Sequence, residues 1–355
     1  MSLPRVRTET KGNLVRDCPG TRSHICCGYK TIDLVEGCVL SCSYCILRGY
    51  LNAPHIKVHD DLPYILAQVE EAIDFNGRAR GNLSSEHREP GTRLRVREAP
   101  AALPQEGATQ VPVIDAGTGH LLRFGTGELG DSLALEREFR LHRPLIEFFG
   151  RKKRALLELK SKWASIQPVQ DVLNPYTVVS FSLAPQHIIA QEEKRTSPVR
   201  KRLSVLRQVQ DRGGLVGLHF DPIIIYPGFE KDYYYLIEDV SRILDLKRVI
   251  WVSMGLLRFM PRLYTLFLLE GRRNLLHGEF IRGEDGKYRY IKAERIRVYK
   301  MLYELLKSKE DDLFIYLCME RPDIWREVTG TDVATSEGLV GLFDRRVKEF
   351  YGGEV

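Results

Sequence analysis

The sequence predicts an α/β fold, a partial (β/α)6 TIM-like barrel followed by a C-terminal α+β extension that carries a β-hairpin. Three observations lead there. Six apolar runs of strand length recur along the chain, patterns of helical spacing fill the gaps between them, and beyond Val252 the alternation stops and hairpin signals take its place.

Residues 1–30 are polar and Arg-rich, with Cys18, Cys26 and Cys27 near their end, and read as an N-terminal arm wrapped over the core. The strand candidates are Ile32 to Val35, Leu121 to Phe124, Ala155 to Leu159, Thr177 to Phe181, Leu215 to Phe220 and Val249 to Val252. Between them, Asp61 to Phe75 carries Leu62, Ile65, Leu66, Val69 and Ile73 at helical spacing. Ser197 followed by Pro198 forms an N-cap and first-turn pair for a helix that ends at Gly213-Gly214, and Phe229 to Leu244 repeats the helical pattern. Residues 31–254 are therefore expected to form the barrel, with its reactive end at the C-terminal edges of the strands.

Residues 77–118 interrupt the array. They are rich in Arg, Gly, Pro and Glu and read as an insertion holding a hairpin built from Leu94 to Val96 and Val111 to Ile114. Residues 255–355 form the extension. Within it, 280–291 is a hairpin turning at Asp285-Gly286, Lys292 to Lys307 is a helix, Leu313 to Met319 is a strand, and a helical segment closes the chain.

At 355 residues, 43% of them hydrophobic, the chain can bury a sizeable core. No run approaches the roughly 18 apolar residues of a membrane span, so no membrane is expected and the location is expected to be cytoplasmic. Lys plus Arg is 53 against 47 for Asp plus Glu, a net charge of +6, which permits a polyanionic partner without requiring one.

The most informative segment is Glu36-Gly37-Cys38-Val39-Leu40-Ser41-Cys42-Ser43-Tyr44-Cys45, a Cys-x3-Cys-x2-Cys loop directly after the first strand. Three thiolates on one loop can each hold a different iron of a [4Fe-4S] cluster, and the fourth iron keeps an open position. Two other readings stand beside this one. A zinc knuckle would recruit His55 or His59 as a fourth ligand. A disulfide framework is not expected, because the chain has 7 Cys, no signal peptide and a core large enough to need no staples.

The loop resembles the signature of the radical S-adenosylmethionine (SAM) superfamily. The resemblance implies that Cys38, Cys42 and Cys45 hold the cluster and that SAM chelates the open iron. An electron from the cluster then splits SAM into methionine and a 5′-deoxyadenosyl radical. Several residues are candidates to hold SAM. Gly125-Thr126-Gly127-Glu128 follows the second strand and offers backbone acceptors and a carboxylate, as the similar glycine-rich motif of these enzymes does, although alone it is a common turn sequence. Lys160 follows the third strand and can pair a carboxylate, and Ser182 follows the fourth. Tyr44 is a candidate wall for the adenine or a member of the radical path; ordinary packing is its other reading.

Within the superfamily, the chain from Gly37 to about Ile291 resembles the spore photoproduct lyase family of DNA repair enzymes. The likeness runs through Leu47-Arg48-Gly49-Tyr50-Leu51-Asn52, Lys160, Phe181-Ser182-Leu183-Ala184, Thr196-Ser197-Pro198, Gly217 to Pro222, Tyr226 to Tyr235 and the hairpin at Gly286-Lys287-Tyr288. It implies removal of a hydrogen from C6 of a cross-linked thymine pair that has left the base stack, scission of the crosslink, and return of a hydrogen from a cysteine. It also implies DNA as partner and an electron donor of the flavodoxin or ferredoxin kind. In the family a tyrosine follows the last cluster cysteine and a cysteine ends the second strand. Here Ile46 and Gly125 stand at those places, so another thiol must return the hydrogen or the chemistry differs.

Cys26 and Cys27 are the catalytic candidates for that return, provided the arm folds over the barrel mouth. Lys287, Tyr288 and Arg289 on the hairpin mix cations with a ring, a combination suited to phosphate contact and base stacking. A radical SAM enzyme with a non-DNA substrate, and a non-enzymatic iron–sulfur or zinc protein, remain the alternatives.

Overall fold

A computed structural model describes residues 5–21, 23–51, 55–81 and 121–351. Among the described residues fourteen strands run in chain order as β1 (Arg5–Thr8), β2 (Val15–Asp17), β3 (Lys30–Ile32), β4 (Val35–Glu36), β5 (His55–Val58), β6 (Leu122–Gly125) and β7 (Ala155–Ser161). They continue as β8 (Thr177–Ser182), β9 (Leu215–Ile223), β10 (Val249–Leu256), β11 (Arg258–Phe259), β12 (Phe280–Arg282), β13 (Tyr288–Tyr290) and β14 (Ile315–Leu317). Eight of them form one curled half-barrel in the order β14-β10-β9-β8-β7-β6-β3-β2. Every pairing in it is parallel except that of β2 with β3. The partial barrel expected from the alternating runs is the fold observed.

The central strands read as near-continuous apolar runs because they are covered on both faces. Leu156, Leu157, Leu159, Val178, Val179, Phe181, Val216, Leu218 and Phe220 are all buried. Helices His142–Lys152, Val199–Asp211 and Phe229–Ile243 lie between successive strands, as βα units demand. The last of these buries Phe229, Tyr233, Leu236, Ile237 and Val240, one stripe at helical period, and leaves Tyr234 and Tyr235 outside.

Several elements depart from expectation, each for a local reason. The run Ile32 to Val35 is not one strand. Asp33 turns the chain, with its carboxylate gripped by Arg16 and its N–H bonded to the Leu14 carbonyl, so β3 stays in the half-barrel while β4 joins a second sheet of order β1-β5-β4. Ser197 does not cap the following helix: its hydroxyl accepts from the Ala164 N–H at 2.9 Å, and Pro198 occupies the cap position. The helix expected over Asp61 to Phe75 spans Leu62–Gly81. The hairpin expected within 77–118 lies outside the described residues.

Two further differences concern the ends. Val15–Asp17, expected within an arm over the core, is the antiparallel edge strand of the half-barrel itself. Ile315–Leu317, expected within the extension, pairs with β10 as a seventh parallel strand. The hairpin does form at the Asp285-Gly286 turn, with β12 and β13 antiparallel and β11 completing a small third sheet.

Candidate active site

The Cys loop is held from three sides. Its entry is fixed by Gly37, whose φ of +109° few other residues adopt and whose N–H bonds to the Leu129 carbonyl at 2.8 Å. The Ser43 N–H donates to the Glu192 carbonyl at 2.8 Å, and the Ser43 hydroxyl donates to the Glu192 carboxylate. Arg48 reaches back from the short helix Leu47–Tyr50 to the Ser43 carbonyl at 2.6 Å and also pairs with Glu270.

Beneath the loop lies a buried ionic knot. Tyr44 donates its hydroxyl to Glu193, and Lys162 donates to both the Tyr44 oxygen and the Glu193 carboxylate at 3.1 Å. Arg202, fully buried, pairs with Glu193 and also donates to the carbonyls of Ser182 at 2.6 Å and Ser197 at 2.8 Å. Burial opposes the charge on Glu193, yet Lys162 and Arg202 hold its carboxyl down to about 2. Tyr44 is thus anchored by its hydroxyl while its side chain borders the space the Cys loop faces.

The loop opens onto a cavity of about 250 Å³ at the C-terminal ends of the strands, lined by Cys38, Cys42 and Cys45 together with Tyr44, Gly127, Glu128, Lys160 and Ser182. Cys18, Cys26, Cys27 and Cys318 line the same cavity, so all 7 cysteines of the chain border it. The first segment therefore does bring Cys26 and Cys27 to the barrel mouth. Their thiols touch each other, and Cys18 touches Cys26; Cys18 and burial push Cys26 up against the pull of Cys27, while Cys26 and burial push Cys27 up.

The remaining predicted residues divide. Lys160 and Glu128 pair at 3.4 Å, and the Tyr29 hydroxyl donates to Glu128 at 2.7 Å. Lys160 chiefly keeps Glu128 below the usual carboxylate range; burial works against Lys160 itself, but Glu128, Glu158 and Asp221 more than offset it. Gly125 and Thr126 do not reach the cavity. Thr126 sits behind it, donating to Ser132 at 2.7 Å and facing His142 at 3.0 Å. At Gly125 the space in front is already filled: an added Cβ would lie 2.7 Å from the Tyr29 ring.

Lys287 and Arg289 are buried rather than presented on the hairpin surface. Arg289 pairs with Asp285 at 2.6 Å and Lys287 faces the same carboxylate at 3.7 Å, while the Tyr288 ring packs against Phe259 and Tyr264. His59 is buried against Glu36 at 3.3 Å, and neither it nor His55 lines the cavity.

The donor set fits an iron–sulfur cluster better than a single ion. Among the described residues no three His, Cys, Asp or Glu converge closely enough to hold one metal ion, whereas a cubane takes each thiolate at a different corner. Burial pushes the thiols of Cys38, Cys42 and Cys45 up, and a bound metal would hold them as thiolates. The charged pair Glu128–Lys160 beside them suits a zwitterionic amino-acid group.

The cavity floor holds residues that the sequence did not single out. Along β7, β8 and β9, alternate positions face inward, giving Glu158 and Lys160, Ser180 and Ser182, His219 and Asp221. Glu158 accepts from His219 at 2.7 Å, from Trp251 at 3.0 Å and from Ser180. Burial resists its ionisation, but His219 and Ser180 hold its carboxyl at about 2. The signal available in sequence was weak: a polar residue every second place in strands where bulky branched side chains normally fill a barrel.

Residues 113–260 match the family model described as spore photoproduct lyase. This chain is similar to the spore photoproduct lyases. Spore photoproduct lyase from Clostridium acetobutylicum is 23% identical over 212 residues, 59% of this chain and 51% of that protein. The Geobacillus sp. enzyme is 26% identical over 216 residues, 60% of this chain and 51% of that one, so the chain spans about half the length of these two relatives. The Bacillus subtilis spore photoproduct lyase is 23% identical across 80% of this chain and 73% of its own. Among solved structures, spore photoproduct lyase complexed with dinucleoside spore photoproduct superposes with a TM-score of 0.66 at 19% identity, covering 88% of this chain and 82% of that one. A double mutant of spore photoproduct lyase with bound AdoMet and the dinucleoside gives 0.67 at 19% identity, over 88% of this chain and 81% of that one. At this identity the spore photoproduct lyase structures establish the shared fold. No described helix is long and apolar enough to cross a membrane.

Proposed function

We propose that this chain is a radical SAM enzyme of the lyase type, acting on DNA that carries a cross-linked thymine photoproduct. The observation that carries the reading is one cavity bordered by the three cluster-spaced thiols, the Glu128–Lys160 pair and four further thiols. Cys38, Cys42 and Cys45 would hold a [4Fe-4S] cluster, and Gly127, Glu128, Lys160 and Ser182 would hold SAM. That pair of cofactors supplies a 5′-deoxyadenosyl radical when an electron arrives from a flavodoxin- or ferredoxin-like donor.

The chain's own residues do the rest. Lys160 would meet the carboxylate of SAM's amino-acid group and Glu128 its amino group, orienting the cofactor in the cavity. Hydrogen loss from the photoproduct breaks the bond between the two thymines and leaves a carbon radical on one of them. A thiol gives up its hydrogen atom to that radical; the S–H bond breaks, a C–H bond forms and a thiyl remains. Cys26 and Cys27 border the cavity and serve this return, with Tyr29 occupying the place in front of Gly125. The inward pairing of Lys287 and Arg289 with Asp285 favours a positioning duty for these two over direct phosphate contact.

One anaerobic assay tests the reading. Reconstituted protein with dithionite, SAM and ultraviolet-damaged DNA in deuterated water should form 5′-deoxyadenosine and restore thymine that carries deuterium from the exchangeable thiol. A preparation that takes up zinc alone, or a four-iron protein that never forms deoxyadenosine, overturns it. Deoxyadenosine formation with no effect on damaged DNA would instead support a radical SAM enzyme with another substrate.

A further inference from the structure

At the far side of the same cavity from the Cys loop, β9 and β10 bring a carboxylate and a guanidinium together. Arg258, just past β10, donates to Asp221 on β9 at 3.2 Å, and both side chains line the cavity. The pair is built around Gly255. A Cβ there would lie 2.7 Å from the Asp221 carboxyl carbon and 2.9 Å from Arg258 Nη1, so any other residue would push the two apart.

The pair does not exhaust its own hydrogen-bonding capacity. Arg258 Nη2 uses only the Oδ2 atom of Asp221, and it also approaches the Cys318 sulfur at 3.4 Å, while Nη1 faces the Leu256 carbonyl at 3.4 Å. Among the described residues Asp221 Oδ1 and Arg258 Nε have no partner, and neither atom is sealed from the cavity. A carboxylate accepts only and a guanidinium donates only. Side by side, they match a ligand edge that offers an N–H next to a C=O. His219, fixed by Glu158, stands two residues before Asp221 on the same strand face and closes the wall beside it.

We propose that Asp221 and Arg258 form the subsite that reads the imide edge of a pyrimidine ring, the N–H to Asp221 and an adjoining carbonyl to Arg258. The inference rests on the functional reading above and names which part of the ligand the floor recognises. A thymine ring suits this pair in either orientation, because its N3–H is flanked by carbonyls on both sides. Saturation of the ring's C5–C6 bond, as in a photoproduct, leaves that edge intact.

The test changes the ligand first and the protein second. Reconstituted full-length protein with SAM is titrated with a dinucleoside thymine photoproduct and with its N3-methylated counterpart, and deoxyadenosine release by the wild type is scored in parallel. Methylation should weaken binding by roughly 10- to 100-fold, the range a lost bidentate base contact produces. In Asp221→Ala the two ligands should bind within about threefold of each other, since the discriminating acceptor is gone. Equal binding of both ligands to the wild type, or binding of neither, overturns the subsite. Those results are separable from failure of the functional reading, which shows instead as absence of deoxyadenosine from the wild type whatever the ligand pair does.

Discussion

On the proposed reading Cys38, Cys42 and Cys45 would carry the chemistry of the Cys loop, a duty that packing cannot mimic. Cys42 is buried, so alanine there removes little volume but takes away one of the three thiolates. Cys42→Ala should therefore fold, lose the brown four-iron absorbance on reconstitution, and release no deoxyadenosine; normal iron content in this variant would sink the cluster assignment. Gly125 makes the opposite point, because what matters is the absence of a side chain. Gly125→Ala drives a methyl to 2.7 Å from the Tyr29 ring and should cost about 1–3 kcal/mol in urea unfolding. The same change in a Tyr29→Ala background should cost less than half as much, and a full cost in both backgrounds would show that the two do not compete for space. Glu158 adds a pH signature. Its carboxyl is held at about 2 instead of 4.5 by His219 and Ser180 against the cost of burial, a difference worth on the order of 3 kcal/mol. Because the folded value is the lower one, that stabilisation is complete above pH 4.5 and drains away as the pH falls toward 2. Urea midpoints of wild type and Glu158→Gln should thus differ at pH 7, draw closer as the pH falls below 4.5 and converge only near pH 2, whereas a constant gap would contradict the argument.

Between neighbouring helices and strands the decisive contact is Arg202. It leaves helix Val199–Asp211 to meet the carbonyls of Ser182 at the end of β8 and Ser197 before its own helix, and the carboxylate of Glu193. Glu193 in turn holds Tyr44, so one guanidinium ties two βα units to the Cys loop. Arg202→Met roughly keeps the volume but takes one of two cations from the buried Glu193 carboxylate, and should destabilise by about 3–5 kcal/mol; a loss under about 1 kcal/mol in urea unfolding would mean the knot is dispensable. This knot shows what was legible in the sequence and what was not. Parallel strands buried on both faces announce themselves as apolar runs, so five of the six expected strands stand close to where their residues suggested. The sixth, Ile32 to Val35, broke because Asp33 bonds to Arg16, and a partner 17 residues away leaves no local trace. For the same reason Ser197 looked like a cap but serves Ala164 instead. The three thiols of the Cys loop were legible because a short loop fixes their spacing. Asp221 and Arg258 were not, since 37 residues and a helix separate two groups that meet only when β9 and β10 pair.

Closure of the cavity depends on the two ends of the chain meeting. The backbone of Ile25 pairs with that of Glu320, and the Cys26 N–H donates to the Ser336 hydroxyl at 3.0 Å, just where helix Ser336–Phe350 begins. Arg123 donates to the Cys27 carbonyl and lays its guanidinium over the Phe343 ring, 3.5 Å from the centroid. Phe343 itself is buried against Trp251, Phe314 and Tyr316, so it links the last helix to two strands of the half-barrel. The thiols of Cys26 and Cys27 are therefore kept at the cavity by a helix more than 300 residues further along the chain. Removing the ring in Phe343→Ala should cost about 3–5 kcal/mol. The loss should fall unevenly, because the segment carrying Cys26 and Cys27 is short and leans on this helix, whereas the Cys loop is pinned by Ser43, Arg48 and Gly37. In the reconstituted protein, alkylation followed by mass spectrometry should report this. A local loss of about 1.4 kcal/mol raises exposure tenfold, so labelling at Cys26 and Cys27 should rise at least about tenfold in Phe343→Ala while Cys38, Cys42 and Cys45 stay protected. An equal rise at all seven cysteines would mean that the ends of the chain and the half-barrel open together, and that the last helix stabilises the fold without holding Cys26 and Cys27 in place.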